Sequence, residues 1–428
     1  MTLLVIAIFI AGYALIALEQ RYQLHKAITA AALGASLWLI IALHEGAAVQ
    51  TATTKAGAEI FSLVLFLLAA MTLVEILVHY RFFDLMRMRL LKLGLDDYKQ
   101  LWVIGVASFF ASAVIDNLTA ALVMLAIAGR FFRGANMLVA AVTIVIAANA
   151  GGAWSPIGDV TTIMLWLAGK FTATEIIAWT FLPAATTFVV CTSLLARGLR
   201  GDTRDIMEET VALSGSEKAI VVSALASFSL PLLFSRIGLQ PYFGLIFGLG
   251  IVGMLIAAFR LRAADVLEDV AGSHKTHLTS DIEKALARID VASLLFFAGI
   301  LLAVGALDHL GILSQISNVL LGEKPGVTRL VAGNAALGVL SAILDNIPLT
   351  AAAIGMLATT DPAIWSLLAL TVGTGGSMLA IGSAAGVVAM GRVEGLTFSR
   401  YMRMATIPAA VGYAAGIAVW CAEYLAFR

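Results

Sequence analysis

Charge is scarce in this 428-residue chain: 13% of residues are charged against 61% hydrophobic, and the mean hydropathy is +0.98. That balance excludes an ordinary soluble globule and indicates a polytopic membrane protein. The 27 basic and 27 acidic residues cancel with no basic domain, so nucleic-acid binding has no support. No Gly-Lys-Ser/Thr phosphate loop occurs, which removes the signature of nucleotide-driven pumping and leaves an ion gradient as the expected energy source. Only two cysteines are present, Cys191 and Cys421, both within apolar runs, so neither a disulfide framework nor a metal-thiolate centre is expected. Met1 leads straight into apolar sequence without a basic flank, and residues 2–18 are predicted to be a first spanning helix rather than a cleaved signal.

What the chain has instead is long hydrophobic runs. About 20 apolar residues at about 1.5 Å per residue cross the hydrocarbon. On that measure spans are predicted near 2–18, 27–43, 59–79, 136–169, 174–197, 217–236, 241–259, 290–312, 364–391 and 401–425. Residues 101–130 and 328–360 are also apolar, but each carries Asp-Asn at its centre and its halves are too short to cross, so both are predicted to be re-entrant hairpins with buried tips. With this count 21 of the 27 basic residues fall on one side, which the positive-inside rule makes cytoplasmic, with both termini outside. Residues 1–200 and 217–428 then form two repeats of five crossings and a hairpin, joined by a cytoplasmic linker at 201–216, and the odd number inverts the second repeat. The fold class expected is an all-α membrane protein of two inverted repeats, about ten transmembrane helices and two hairpins, with broken helices at 136–169 and 364–391. Residues 80–99 are expected to lie as an amphipathic helix at the cytoplasmic interface.

The strongest signal is a duplication. Ser112-Ala-Val-Ile-Asp116-Asn117-Leu-Thr119 returns 229 positions later as Ser341-Ala-Ile-Leu-Asp345-Asn346-Ile-Pro348-Leu-Thr350. Each copy precedes a glycine-interrupted segment: Asn149-Ala-Gly151-Gly152-Ala-Trp-Ser155-Pro156-Ile-Gly158-Asp159, then Gly373-Thr374-Gly375-Gly376-Ser377-Met-Leu-Ala-Ile-Gly382-Ser383. Glycines permit a break, and the carbonyl end of a half-helix carries partial negative charge that suits a cation. Asp116, Asn117, Thr119, Asn149, Ser155 and Asp159 supply oxygen ligands in the first half; Asp345, Asn346, Thr350, Thr374, Ser377 and Ser383 supply them in the second. All-oxygen shells favour hard cations such as Na+ or Li+. Asp159 aligns with Ser383, so the first set holds two carboxylates and the second one. Two carboxylates held close together bind a proton or a cation competitively, which is a sufficient mechanism for antiport.

Each of these residues also has a structural reading. Asp116, Asp345 and Asp159 are placed to cap helices, and the glycines to make close packing contacts. Glu75 and His79, four apart on one helix face, form either a structural pair or a proton relay. Asp308-His309 has an interfacial role, His274 and His277 belong to a solvated loop, and the tryptophans are anchors or packing.

In Ala-Val-Ile-Asp116-Asn117-Leu-Thr, in the run from Asn149 to Asp159-Val-Thr-Thr-Ile-Met, in Arg288-Ile-Asp-Val-Ala-Ser-Leu-Leu-Phe-Phe and in Leu344-Asp345-Asn346-Ile-Pro348-Leu-Thr-Ala the chain resembles the NhaD-type sodium/proton antiporters of the ion transporter superfamily. The resemblance implies a dimeric exchanger of the bacterial inner membrane that expels Na+ or Li+ for protons, with no cofactor, and cation binding at Asp116, Asn117, Asp159, Asp345 and Asn346. Relatives that move dicarboxylates with sodium carry Ser-Asn-Thr at the tips, and the carboxylates here repel an anion. An intramembrane aspartyl protease, the rival from another class, requires Gly-x-Gly-Asp, which Ser155-Pro-Ile-Gly158-Asp159 lacks; no enzymatic activity is expected.

Overall fold

The computed structural model describes residues 1–17, 25–91, 95–200, 213–268, 285–321, 325–379 and 382–427. Linker residues 201–212, His274, His277 and Ile381 lie outside them. Among the described residues there is helix and no strand, as the continuous apolar runs require: in lipid every backbone group needs an internal partner.

The first half runs α1 (Thr2–Ala17), α2 (Lys26–Glu45), α3 (Val49–His79), α4 (Phe82–Leu91), α5 (Asp97–Ser112), α6 (Asn117–Ala128), α7 (Gly134–Ala153), α8 (Val160–Leu167) and α9 (Ala173–Leu195). The second runs α10 (Gly215–Ser227), α11 (Leu230–Arg236), α12 (Pro241–Glu268), α13 (Val291–His309), α14 (Ile312–Leu321), α15 (Val327–Leu340), α16 (Asn346–Met356), α17 (Pro362–Gly375), α18 (Ala384–Arg392) and α19 (Phe398–Ala426). Seven helical stretches among the described residues are long and apolar enough to cross a membrane. The sequence expectation near 136–169 becomes the pair α7 and α8, and that near 364–391 becomes α17 and α18.

Two expectations are refined. Span 217–236 is two helices: the chain turns at Phe228 and Ser229, and Pro231, which has no N–H to continue a helix, sits in the first turn of α11. Within the amphipathic segment 80–99, Phe82–Leu91 forms α4, entered through Arg81 in the left-handed region (φ 58°), and residues 92–94 lie outside the described residues. Its counterpart in the second half is Gly311 (φ 66°) leading into α14, a helix the sequence reading did not assign.

Contacts divide the chain into two compact units. One comprises Met1–Ile60, Gly94–Met207 and Leu295–Arg428, and the other Phe61–Leu93 and Glu208–Leu294. Each draws on both halves of the sequence. The first unit holds both Asp-Asn turns and both glycine breaks; Glu75 and His79 belong to the second. In the first unit His309 Nε2 lies 2.8 Å from Glu45 Oε2, with its ring 5.5 Å from that of Trp38, so Asp308-His309 ends α13 beside a partner far away in sequence. In the second unit Glu75 is half-buried, and His79 is exposed with its ring 5.1 Å from that of Tyr80.

Candidate functional site

The duplicated motifs build duplicated geometry. In each half a short helix ends at a serine, the chain turns, and Asp caps the next helix: Asp116 accepts from Thr119 N (2.9 Å) and Asp345 from Ile347 N (3.1 Å). The serine ties that turn to its own broken helix, Ser112 Oγ donating to Ala148 O (2.6 Å) and Ser341 Oγ to Val372 O (2.9 Å). The glycines are where backbone meets backbone. A Cβ on Gly152 would stand 2.7 Å from Gly158 O, and one on Gly376 2.6 Å from Gly382 O, so each break folds back on itself. A Cβ on Gly151 would collide with Phe109 O, and one on Gly375 with Gly338 O, which sits 229 positions after Phe109. Ser112 and Ser341 carry no chemical signature that marks them as anchors. The signal was their place in both copies.

Both serines are buried, and removing either hydroxyl forfeits a bond of about 1 kcal/mol between turn and break. Ser112→Ala and Ser341→Ala are each expected to lower the apparent melting temperature in detergent, with expression retained. A Ser112→Ala protein that melts with the wild type would show that this bond does not hold the turn.

The polar side chains then form a network that crosses between the halves. Asn346 Nδ2 donates to Asp159 Oδ2 (3.2 Å), which also accepts from Thr161 Oγ1 (2.9 Å). Asn117 Nδ2 donates to Asn149 Oδ1 (3.1 Å), and Asn149 Nδ2 donates to Ser377 Oγ and Ser383 Oγ (both 2.9 Å). Each asparagine of a turn therefore reaches a broken helix, and each broken helix meets its neighbour from the other repeat. The remaining candidates bond within their own repeat. Ser155 Oγ donates to Ala113 O (2.5 Å), Thr119 Oγ1 to Asp116 Oδ2 (2.6 Å), Thr350 Oγ1 to Asn346 O (2.9 Å) and Thr374 Oγ1 to Leu370 O (2.6 Å). Tyr401, which the sequence reading overlooked, donates from its buried hydroxyl to Ser377 O (2.9 Å).

Electrostatics single out Asp159. It is 2% exposed, both bonds to its Oδ2 come from neutral donors, and among the described residues no cationic side chain pairs with it. Asp116 and Asp345 are close enough for their charges to act on it. A buried carboxylate without a cation is costly, and helix N-termini offset part of that cost. Asp116, Asp159 and Asp345 occupy the N-caps of α6, α8 and α16, and Ser383 that of α18. Three of these four positive helix ends already carry their own carboxylate. Lys26, at the start of α2, is near enough to Asp345 to act on its charge, a neighbour the spacing of the sequence did not reveal. Among the described residues no group of three or more His, Cys, Asp or Glu gathers in metal-binding geometry; the side chains bonded to Asp159 Oδ2 are the Thr161 hydroxyl and the Asn346 amide.

Residues 13–373 match the family described as "Citrate transporter". The chain is 37% identical to sodium/proton antiporter 1 of Arabidopsis thaliana, over 96% of this chain and 71% of that protein. It is 33% identical to the Na+/H+ antiporter NhaD of Alkalimonas amylolytica, over 97% of this chain and 89% of the relative. It is 32% identical to the Na+/H+ antiporter NhaD of Vibrio cholerae, over 92% and 86%.

Proposed function

This chain belongs to the citrate-transporter family and, within it, to the NhaD sodium/proton antiporters, and we propose that it exchanges Na+ or Li+ for H+ across a membrane by alternating access. The observation that carries the proposal is Asp159: buried, hydrogen-bonded only by neutral groups at Oδ2, and placed where the two broken helices meet. Such a carboxylate needs either a proton or a cation to offset its charge, and it cannot hold both. Exchange follows if the two are taken up from opposite sides. Asp116 and Asp345 add negative potential that draws cations to the same place. Na+ and H+ are transported ions here, and no cofactor is invoked.

The repeated turn, break and serine contacts support a two-repeat transporter; a transport part that moves against a scaffold part is what the resemblance implies. The excess of Lys and Arg on one side supports inverted repeats in a bacterial cytoplasmic membrane with both termini outside. A homodimer is the assembly that the resemblance implies. An anion symporter of the same fold, which the family's description brings to mind, would seat its substrate at the four helix N-termini, and three of these are already neutralised by aspartate.

The test uses purified protein in proteoliposomes with a luminal pH dye, adding Na+, Li+, K+ or choline outside an acid-loaded lumen. Dissipation of the gradient by Na+ or Li+ alone is the expected result. Proton movement that required citrate or another oxyanion would overturn the proposal in favour of the symporter.

Direct competition also sets a sign for pH. A proton on the site blocks Na+, so the half-saturating Na+ concentration is expected to rise as pH falls, by up to about tenfold per pH unit for one displaced proton. Measuring half-saturation over about three pH units checks it; a value independent of pH would rule out shared binding.

A further inference from the structure

The duplication places two candidate positions in the first compact unit, related by the repeat, and the chain treats them differently. At one, Asp159 of the first broken helix meets Asn346 of the second turn. At its counterpart, Ser383 stands where Asp159 does and Asn117 where Asn346 does. Serine carries a hydroxyl on Cβ where aspartate carries a carboxylate, so it reaches one bond less far and has no charge, and here the intervening space is taken by Asn149, which bonds Asn117 and Ser383 at once.

The residue aligned with Asn149 is Gly373. A Cβ placed there would stand 3.7 Å from Asp159 Oδ2 and 3.2 Å from Ala153 Cβ, so Gly373 lies against Asp159 as Asn149 lies against Ser383, without a side chain. The two differences are complementary. Where the broken helix keeps its carboxylate, the facing position is glycine; where it has serine, the facing position is asparagine.

An asparagine side chain has two N–H donors and one carbonyl oxygen with two lone pairs. Asn149 is 0% exposed, its two donors go to Ser377 and Ser383, and its oxygen accepts from Asn117 and from Ser383 Oγ (3.0 Å). Its hydrogen-bonding capacity is spent on protein, and its neighbours there are neutral. A buried cation needs a carboxylate or several free oxygens, and this position offers neither.

We propose that each chain carries one transported cation, at Asp159 and Asn346, because the amide of Asn149 occupies the repeat-related position between Asn117 and Ser383. Asn149 then acts as a built-in occupant rather than a cation ligand, and Gly373 keeps the working position clear of side chains. This rests on the cation-exchange reading above.

The experiment is equilibrium binding of radioactive Na+ to the purified full-length chain in detergent at alkaline pH, where protons compete least. Wild type is expected to saturate at one Na+ per chain, and Asn149→Gly with Ser383→Asp, which copies the working position into the other repeat, at two. Gly373→Ser, which places a hydroxyl against Asp159, is expected to weaken Na+ binding by about tenfold or more. Wild type saturating at two overturns the proposal. If the double variant does not fold, as size exclusion reports, Gly373→Ser decides alone, and unchanged Na+ affinity there overturns it. Proton exchange in liposomes separates the two levels. Wild type that exchanges Na+ for H+ yet binds two Na+ sinks only the single-cation proposal, whereas wild type that neither exchanges nor binds Na+ sinks the antiport reading with it.

Discussion

Asp159→Asn is expected to abolish Na+-driven proton movement while leaving the chain folded. The substitution is nearly isosteric, and an amide oxygen still accepts from Thr161 Oγ1 and Asn346 Nδ2, the two donors that Asp159 Oδ2 serves at 2.9 and 3.2 Å. What is lost is the charge. Removing one partner of a buried ion pair costs about 3–5 kcal/mol, and at about 1.4 kcal/mol per tenfold that amounts to about two to three and a half orders of magnitude in Na+ affinity. The amide also holds no proton to exchange. Since Na+ stabilises a folded state that binds it by an amount that grows with the logarithm of its concentration over Kd, wild type is expected to melt higher with added Na+ and the variant is not. In Na+-free buffer the variant should melt at or above wild type, because an uncompensated buried charge has been removed. Asp116→Asn is expected to do less, about tenfold: both Asp116 oxygens are engaged by Thr119, and asparagine caps a helix about as well as aspartate. Retained Na+-driven exchange in Asp159→Asn would refute the assignment of that carboxylate as the exchanging group.

Much of this site was legible in the sequence because its causes are local. A turn that caps a helix wants Asp or Asn, and a backbone that folds back against another backbone wants glycine. Both demands recur in the two copies, so caps at Asp116, Asp159 and Asp345 were readable from the motif, and the fourth helix end, at Ser383, follows the alignment with Asp159. The pairing was not legible. Asn346 reaches Asp159 across 187 residues and Asn149 reaches Ser383 across 234, and spacing within each repeat suggested grouping the residues half by half. The carbonyl targets of Ser112 and Ser341 lie within the same repeat, at Ala148 and Val372, and were hidden because a backbone acceptor leaves no mark on the sequence. Helix α14 escaped because its polar residues, Ser314, Gln315, Ser317 and Asn318, carry no charge, whereas its counterpart α4 was marked by arginines. The break at Phe228 had a signal in Pro231, but the surrounding apolar run outweighed it.

Gly382→Ala is expected to destabilise the protein severely, and Gly250→Ala to leave it unharmed or slightly firmer, although the chemical change is the same. A Cβ on Gly382 would overlap Ser341 O and crowd the backbone of Ala342, and one on the equivalent Gly158 would stand 2.5 Å from Ser112 O. These neighbours are backbone, pinned by the serine bonds that hold turn to break, so they cannot rotate away as a side chain could. Overpacking a rigid contact costs about 1–3 kcal/mol and occasionally more, and here the upper end is expected because relief requires moving the turn that carries Asp345 and Asn346. The loss should therefore appear twice, as a lower apparent melting temperature and as weaker Na+ binding in whatever protein remains folded. Gly250 lies inside α12, where an added Cβ meets nothing within 4 Å. Alanine there gains about 0.5–1 kcal/mol of helix propensity. Melting the two variants side by side in one detergent tests the contact directly. Equal melting temperatures would mean that the broken helix and the turn do not meet at the distance on which the whole site depends.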